Sequence, residues 1–320
     1  MTQPASTPLI SAVIPSCRRP ELAARAVRSV LAQTFPNLEA VVAPACPGDG
    51  LIERLASIDD PRLRVLEPQA LGASAARNRG VAAARGRWVA FLDDDDEWMP
   101  KKLERQLAAA AASKQPRPVI SCRMLARFDG GAFVWPRRLP EAEEPIGDYL
   151  FRRRSLFGGG GFVQTSTILA PRELLLEVPF REDLQRIEDL DWVLRAERAG
   201  SRVEFAAPEE TLAVWDIQDN RPRQSGAGAW RTSLDWIRAN PELVSRRAYA
   251  SYLLTWVSAE AAREGASWRA WGELWREARR AGSPSLLDAA VHLGHFLAPP
   301  EQLRRLAAWA GGRRRSRGVG

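Results

Sequence analysis

The chain has 320 residues, 45% hydrophobic and 27% charged, which excludes global disorder and leaves room for one large domain with a smaller one. Its formal charge is +7, and 43 of the 46 basic residues are arginine. No apolar run approaches the roughly 18–20 residues of a membrane span, and Met1–Pro8 lacks the regions of a signal peptide.

The first third alternates strand and helix signals. Leu9–Ile14 reads as a buried strand, and Pro20 opens a helix whose apolar face is Ala23, Val27, Val30 and Leu31. Strands at Leu38–Ala43 and Leu63–Leu66, a helix at Ser74–Ala84 and a strand at Trp88–Leu92 follow. This pattern predicts an α/β fold with a mostly parallel central sheet flanked by helices, and ligands beyond the carboxyl ends of its strands. Further on come a helix at Lys101–Ala112 and strands at Val119–Leu125 and Phe162–Leu169. The glycines Gly158–Gly161 read as a connection or a mobile loop. A helix at Ile187–Ala199 precedes short strands at Val203–Phe205 and Leu212–Trp215. From about Gln224 only helices are predicted, near 228–239, 242–263, 267–281, 285–297 and 300–310. The expected division is 1–222, a helical region 223–310, and a basic disordered tail 311–320 with Arg313, Arg314, Arg315 and Arg317. Cys17, Cys46 and Cys122 show no CxxC spacing, which argues against a disulfide framework or a zinc site and for a reducing cytoplasm.

The strongest chemical signal is a strand running into Asp93-Asp94-Asp95-Asp96-Glu97. So many carboxylates repel unless a cation sits among them. A hard divalent ion such as Mg²⁺ or Mn²⁺ takes one or two carboxylates plus phosphate oxygens, so a metal-diphosphate site is one reading. An acidic turn capping the helix after Pro100 is the other. Likewise Glu188, Asp189 and Asp191 read either as functional carboxylates or as charges complementing a helix dipole.

The segment before the acidic run narrows the choice. Gly72, Ser74, Ala76, Arg77, Asn78 and Gly80, then Ala84 and Gly86, then Asp93, Asp95 and Asp96 together resemble the inverting family-2 glycosyltransferases of GT-A fold. Ala12–Ser16, Arg19–Leu22 and Ser29–Pro36 match the family's first strand, nucleotide loop and helix, and Glu188-Asp189 its acidic motif under the acceptor site. The resemblance spans residues 9 to about 220. It implies an enzyme moving a sugar from a nucleotide-sugar donor to a saccharide or glycolipid hydroxyl in cell-surface polysaccharide or glycoconjugate synthesis. It implies Asp189, with Glu188, as the catalytic pair. A divalent metal cofactor would sit on Asp95 with Asp93 or Asp96. Pro15, Ser16, Arg77, Asp93 and Asp94 would contact the nucleotide-sugar, and Trp98 would either stack on a sugar or pack in the core. The cysteine usage predicts a cytoplasmic protein, and the C-terminal helices with the arginine tail offer peripheral contact at the inner face of the membrane as one reading.

Two departures stand out. The family's paired Asp for the base falls on Pro44 and Ala45, leaving only Asp49, and a His expected near Gln218 is missing. A degenerate binding or scaffold subunit is the alternative these suggest. In the C-terminal region, Trp268, Trp271 and Trp275 recur at helical spacing among Arg269, Arg276, Arg279 and Arg280. They form either a stripe packed on the catalytic domain with a solvated basic face or, with the arginine tail, a peripheral membrane contact. His292 and His295 read as a packed pair, and no nucleic-acid motif appears.

Overall fold

The computed structural model describes residues 7–128, 131–156, 161–217 and 228–297. They form two compact units: Met1–Leu139 with Phe162–Pro222, and Pro140–Gly161 with Arg223–Gly320. Residues 140–156 thus belong with the helical residues, a grouping that hydrophobic periodicity does not reveal.

In chain order the elements are β1 (Ile10–Ser16), α1 (Pro20–Leu31), β2 (Leu38–Pro44), α2 (Leu51–Leu55), β3 (Leu63–Val65), α3 (Ala73–Ala83) and β4 (Trp88–Phe91). Next come β5 (Glu97–Trp98), α4 (Lys102–Ala112), β6 (Pro118–Ser121), β7 (Arg123–Phe128), β8 (Gly131–Trp135) and α5 (Ile146–Phe151). They continue with β9 (Leu169–Pro171), α6 (Arg172–Glu177), α7 (Glu188–Arg198), β10 (Arg202–Phe205) and β11 (Thr211–Asp216). The helical unit adds α8 (Ala229–Ala239), α9 (Arg246–Ser251), α10 (Ser258–Arg263), α11 (Trp268–Ala281) and α12 (Leu286–Leu297), with a π-helical stretch Tyr252–Val257 between α9 and α10.

The first unit is built on a seven-stranded sheet in the order β10-β6-β9-β4-β1-β2-β3. All pairs are parallel except those of β9, which runs against both β4 and β6. Every residue of β1 and β2 is buried, as strands covered on both faces must be. On α1 the buried residues Ala23, Ala26, Val27 and Val30 recur at helical spacing. A smaller four-stranded sheet has the order β5-β11-β7-β8.

Three local expectations change. The run 119–125 is not one strand: β6 is buried throughout and joins the large sheet, whereas β7 alternates and joins the small one, the switch falling at Cys122. The segment 162–169 is mostly not strand. It contains a 3₁₀ turn, Thr165–Thr167, in which the Gln164 Oε1 accepts from the Ser166 N–H at 2.7 Å and the Thr167 hydroxyl donates to the Gln164 carbonyl at 2.6 Å. Such local side-chain bonds compete with a ladder. Finally, Cys17 and Cys46 form a disulfide, with Cα atoms 4.9 Å apart. The reading against disulfides looked at sequence spacing, but β1 pairs β2 in the register Ser16↔Pro44, which carries the two next turns together. Residues 298–310 and the tail 311–320, like Gly158, Gly159, Gly160 and Gln218, lie outside the described residues.

Two glycines let α3 and the following turn close onto β1. A Cβ on Gly80 would sit 2.3 Å from Val13 Cγ1, and one on Gly86 would sit 2.7 Å from the Ser11 nitrogen. In the helical unit His292 is buried, bonded to Ser258 (2.7 Å), and lies parallel to the Trp271 and Trp275 rings at 5.0 and 6.3 Å. Burial lowers its pKa to about 4, so it packs as neutral imidazole. Trp271 and Trp275 are therefore packed within the helical unit, against α12 and not as a stripe on the catalytic domain, whereas Trp268 stays 55% exposed.

Gly80→Ala is expected to destabilise the protein by about 1–3 kcal/mol in urea unfolding, because Val13 must move. Gly272→Ala, in the middle of α11 with nothing within 4 Å of its Cβ, is expected to stabilise by up to about 1 kcal/mol.

Candidate active site

The acidic run occupies the turn between β4 and β5, at the carboxyl end of the sheet next to β1. Its charge is balanced by arginines. Arg19, just before α1, reaches Asp94 at 3.2 Å and Asp95 at 2.8 Å. Arg25, on α1, donates to the Asp95 carbonyl at 2.7 Å and pairs with Asp216 and Glu97 at 3.3 and 3.5 Å. Arg77, on α3 and 5% exposed, pairs with Asp93 at 2.8 Å and with Glu188 at 3.2 Å. The cation that the clustered carboxylates demand is thus supplied, in this structure, by guanidinium groups.

Each aspartate has a different environment. The Asp93 carboxylate also accepts from Gln164 Nε2 at 3.1 Å, while its own N–H donates to the Ser166 hydroxyl. Asp94 accepts from the Ser16 hydroxyl at 2.9 Å and from the Cys17 N–H, fixing the loop to the end of β1. Burial pushes its pKa up to about 6, against the pull of Arg19. Asp96 is fully buried. It accepts from Ser166 Oγ at 2.6 Å, from Gln164 Nε2 at 3.0 Å and from the Asp216 N–H at 3.4 Å. Burial, then the neighbouring Asp93 and Asp95 charges, raise its carboxyl well above the usual range.

Among the described residues, no three His, Cys, Asp or Glu side chains converge as a metal cage. A cation shared with phosphate oxygens needs only one or two carboxylates. Asp95, whose side chain is a quarter exposed, suits that donor set, and Asp93 is similarly open. Asp96 does not, being sealed and engaged through both oxygens.

The second acidic motif begins α7. Ile187, immediately before it, holds φ at +67°. A β-branched residue in the left-handed region is strained, and such strain is retained where surrounding structure dictates the geometry. Here it turns the chain so that Glu188 meets Arg77 while Asp189 stays half-buried. Burial pushes the Asp189 pKa up to about 7, with the Glu188 charge adding and Arg77 opposing. Asn78, one residue past Arg77, clamps the approach to this helix: its amide exchanges bonds of 2.8 and 2.9 Å with the Phe180 backbone.

The expected nucleotide residues are arranged unevenly. Pro15 and Ser16 are buried at the end of β1. Arg77 is a strut between two carboxylates, with a second contact 5.6 Å over the Phe180 ring. Trp98 follows the core reading: it is 4% exposed and donates to the Ser166 carbonyl at 2.9 Å. Beyond β1 and β2 lies a cleft of about 450 Å³ lined by Arg18, Ala45, Cys46, Gly48 and Asp49. Both Asp49 oxygens are engaged, accepting from the N–H groups of Arg18 and Leu51. A larger cleft of about 740 Å³, near Leu9, Arg85 and Trp88, is lined by none of Asp93–Glu97, Glu188 and Asp189.

Sequence reading missed Arg25, Gln164, Ser166 and Lys102. The last is wholly buried, donates to Gln106 Oε1 at 2.6 Å and lies 4.0 Å over the Trp98 ring. Gln106 in turn donates to the Ile120 and Thr167 carbonyls, both at 2.7 Å. The available signal was four consecutive polar residues, Gln164–Thr167, inside an apparently apolar strand.

Residues 11–178 match the model of glycosyl transferase family 2. The chain belongs to that family. As a family-2 member it is a glycosyltransferase, and its fold is GT-A. It is similar to the amylovoran biosynthesis glycosyltransferase AmsB of Erwinia amylovora, 30% identical over 75% of this chain and 80% of the relative. It also resembles the Escherichia coli UDP-Glc:alpha-D-GlcNAc-diphosphoundecaprenol beta-1,3-glucosyltransferase WfgD, 36% identical over 31% of this chain and 40% of the relative. Among solved structures, the mannosyltransferase PcManGT from Pyrobaculum calidifontis, in complex with GDP-Man and Mn²⁺, matches with a TM-score of 0.56. That match has 16% identity and covers 94% of this chain and 83% of that one.

Arg77→Met is expected to destabilise this glycosyltransferase by about 3 kcal/mol, since Asp93 and Glu188 lose their shared partner. Arg77→Lys should recover little, because an ammonium cannot fork between two carboxylates. Chemical unfolding of the three proteins checks both.

Proposed function

We propose that the chain is an inverting transferase. It moves a sugar from a nucleoside-diphosphate-sugar to a hydroxyl of a saccharide or glycolipid acceptor, in the synthesis of cell-surface polysaccharide or glycoconjugate. The observation that carries this reading is the Asp93–Arg77–Glu188 bridge, which holds the acidic turn against the first turn of α7, where Asp189 has its raised pKa.

Asp189 takes the proton from the acceptor hydroxyl as that oxygen forms its bond to the anomeric carbon. The bond from that carbon to the phosphate oxygen breaks on the opposite face, and the nucleoside diphosphate leaves with the electron pair. A base with a pKa near the working pH is well matched to this task. Glu188 keeps Arg77 in place beside it. Pro15 and Ser16 border the nucleotide, and Asp94 holds their loop. Asp95, with Asp93, would hold a divalent ion, which supplies neutralising charge for the leaving diphosphate. Arg19 now rests on Asp94 and Asp95, and a donor diphosphate offers it an alternative, bidentate partner.

The amylovoran relative's name supports a polysaccharide pathway. The E. coli relative's name supports a lipid-diphosphate acceptor, which fits a cytoplasmic enzyme working at the inner face of the membrane. Among the described residues no helix is long and apolar enough to cross one.

The test is thermal shift with UDP, GDP, dTDP and CDP, each with and without Mn²⁺, followed by turnover with the donor of the nucleotide that binds. A metal-dependent shift for one nucleotide is expected; no shift for any, with no donor consumption, overturns the reading. Asp189→Asn should lower kcat by about 10²–10⁴ while that shift persists. Because the carboxylate is the active form, kcat/KM should rise about tenfold per pH unit below about 7 and level off above it.

A further inference from the structure

Among the described residues, one apolar helix face of the helical unit is uncovered. On α12, Leu286, Ala290, Leu293 and Leu297 fall at i, i+4, i+7 and i+11, one face of a helix. All four are exposed, the leucines by 91%, 41% and 64%. The opposite face carries Asp288, Val291 and His292, which are buried. Trp268, 55% exposed, lies 5.9 Å from Phe296 and extends the apolar surface onto α11.

We infer that this face of α12 docks on an anionic lipid surface. Charge supports that occupant. The chain continues for 23 residues beyond Leu297, and that stretch contains six arginines and one acidic residue, Glu301. An apolar stripe followed by a strongly cationic segment is the composition of an interfacial anchor. Size disfavours a second copy. A face of twelve residues is about 18 Å long and one helix wide, on the order of 200 Å², against about 800 Å² per partner in a stable protein interface. The inference refines the expected tryptophan contact: Trp271 and Trp275 are occupied by His292, and α12 presents the lipid-facing side chains. It does not depend on the transfer reaction.

The test is flotation of the full chain with vesicles of phosphatidylcholine alone and with about 30% phosphatidylglycerol, at low and high salt. Binding to the anionic vesicles, weakened by salt, is expected. Leu286→Gln/Leu293→Gln/Leu297→Gln should reduce that binding at least tenfold with unchanged circular dichroism. As a second readout that tolerates a poorly folding triple variant, Leu293→Cys carrying an environment-sensitive fluorophore should shift to the blue on anionic vesicles only. Wild-type protein that floats with neither vesicle, or a triple variant that binds like wild type, overturns the proposal. A chain that dimerises through this face, or whose labelled Leu293→Cys is already shielded without vesicles, overturns it equally.

Discussion

Arg77 is buried with a carboxylate on each side, and the geometry of the site depends on that arrangement. One guanidinium serves two acidic motifs that are about a hundred residues apart in sequence. Desolvating an arginine is costly, and the cost is offset only when its charge is matched and its donors are engaged. Asp93 and Glu188 match its charge and engage its two Nη groups, while its buried Nε has no hydrogen-bond partner, so Arg77 ties the two motifs to each other through both Nη groups. The glycine at 80 matters for the same reason. It lets α3 settle against β1, which brings Arg77 within reach of the turn after β4.

The same logic runs through the whole acidic turn. Arginines, and hardly any lysines, make up the basic complement of this chain. At this site the preference has a physical use, because a planar fork can bridge carboxylates on different elements where a point charge cannot. Arg19, Arg25 and Arg77 each contact at least two acceptors. The result is a site in which the counter-ions of the carboxylates are part of the protein.

Much of this was readable in the sequence where the code is local. The alternation of β1, α1 and β2, the start at Pro20, and the acidic turn after β4 follow from periodicity and turn chemistry. The motif residues of α3 and α7 were legible through their combined pattern. What was not legible depends on register and on long-range pairing. Spacing could not show that Cys17 and Cys46 are neighbours, because the pairing of β1 with β2 decides it. Periodicity could not separate β6 from β7, since a run of apolar residues looks alike in either sheet. Gln164 and Ser166 were hidden because their significance lies in Asp93 and Asp96, which only the fold places beside them.

The antiparallel strand β9 bears on the order in which the molecule can be assembled. It lies between β4 and β6, yet it is the last of the three in the chain. During synthesis the ribosome therefore releases β1 to β4 and the four aspartates well before Gln164 and Ser166, which donate to Asp93 and Asp96. Ser166 follows Asp96 by 70 residues. A nascent chain of about 150 residues carries a charged turn with arginines from α1 and α3 at hand but no Gln164, Ser166 or α7. Of the arginine contacts only Arg77–Asp93, 16 residues apart, is short in sequence and closes cheaply; those of Arg19 span about as much chain as those of Ser166, but both partners are already made. The guanidinium groups that later organise the crevice thus also serve as provisional counter-charges for an unfinished sheet.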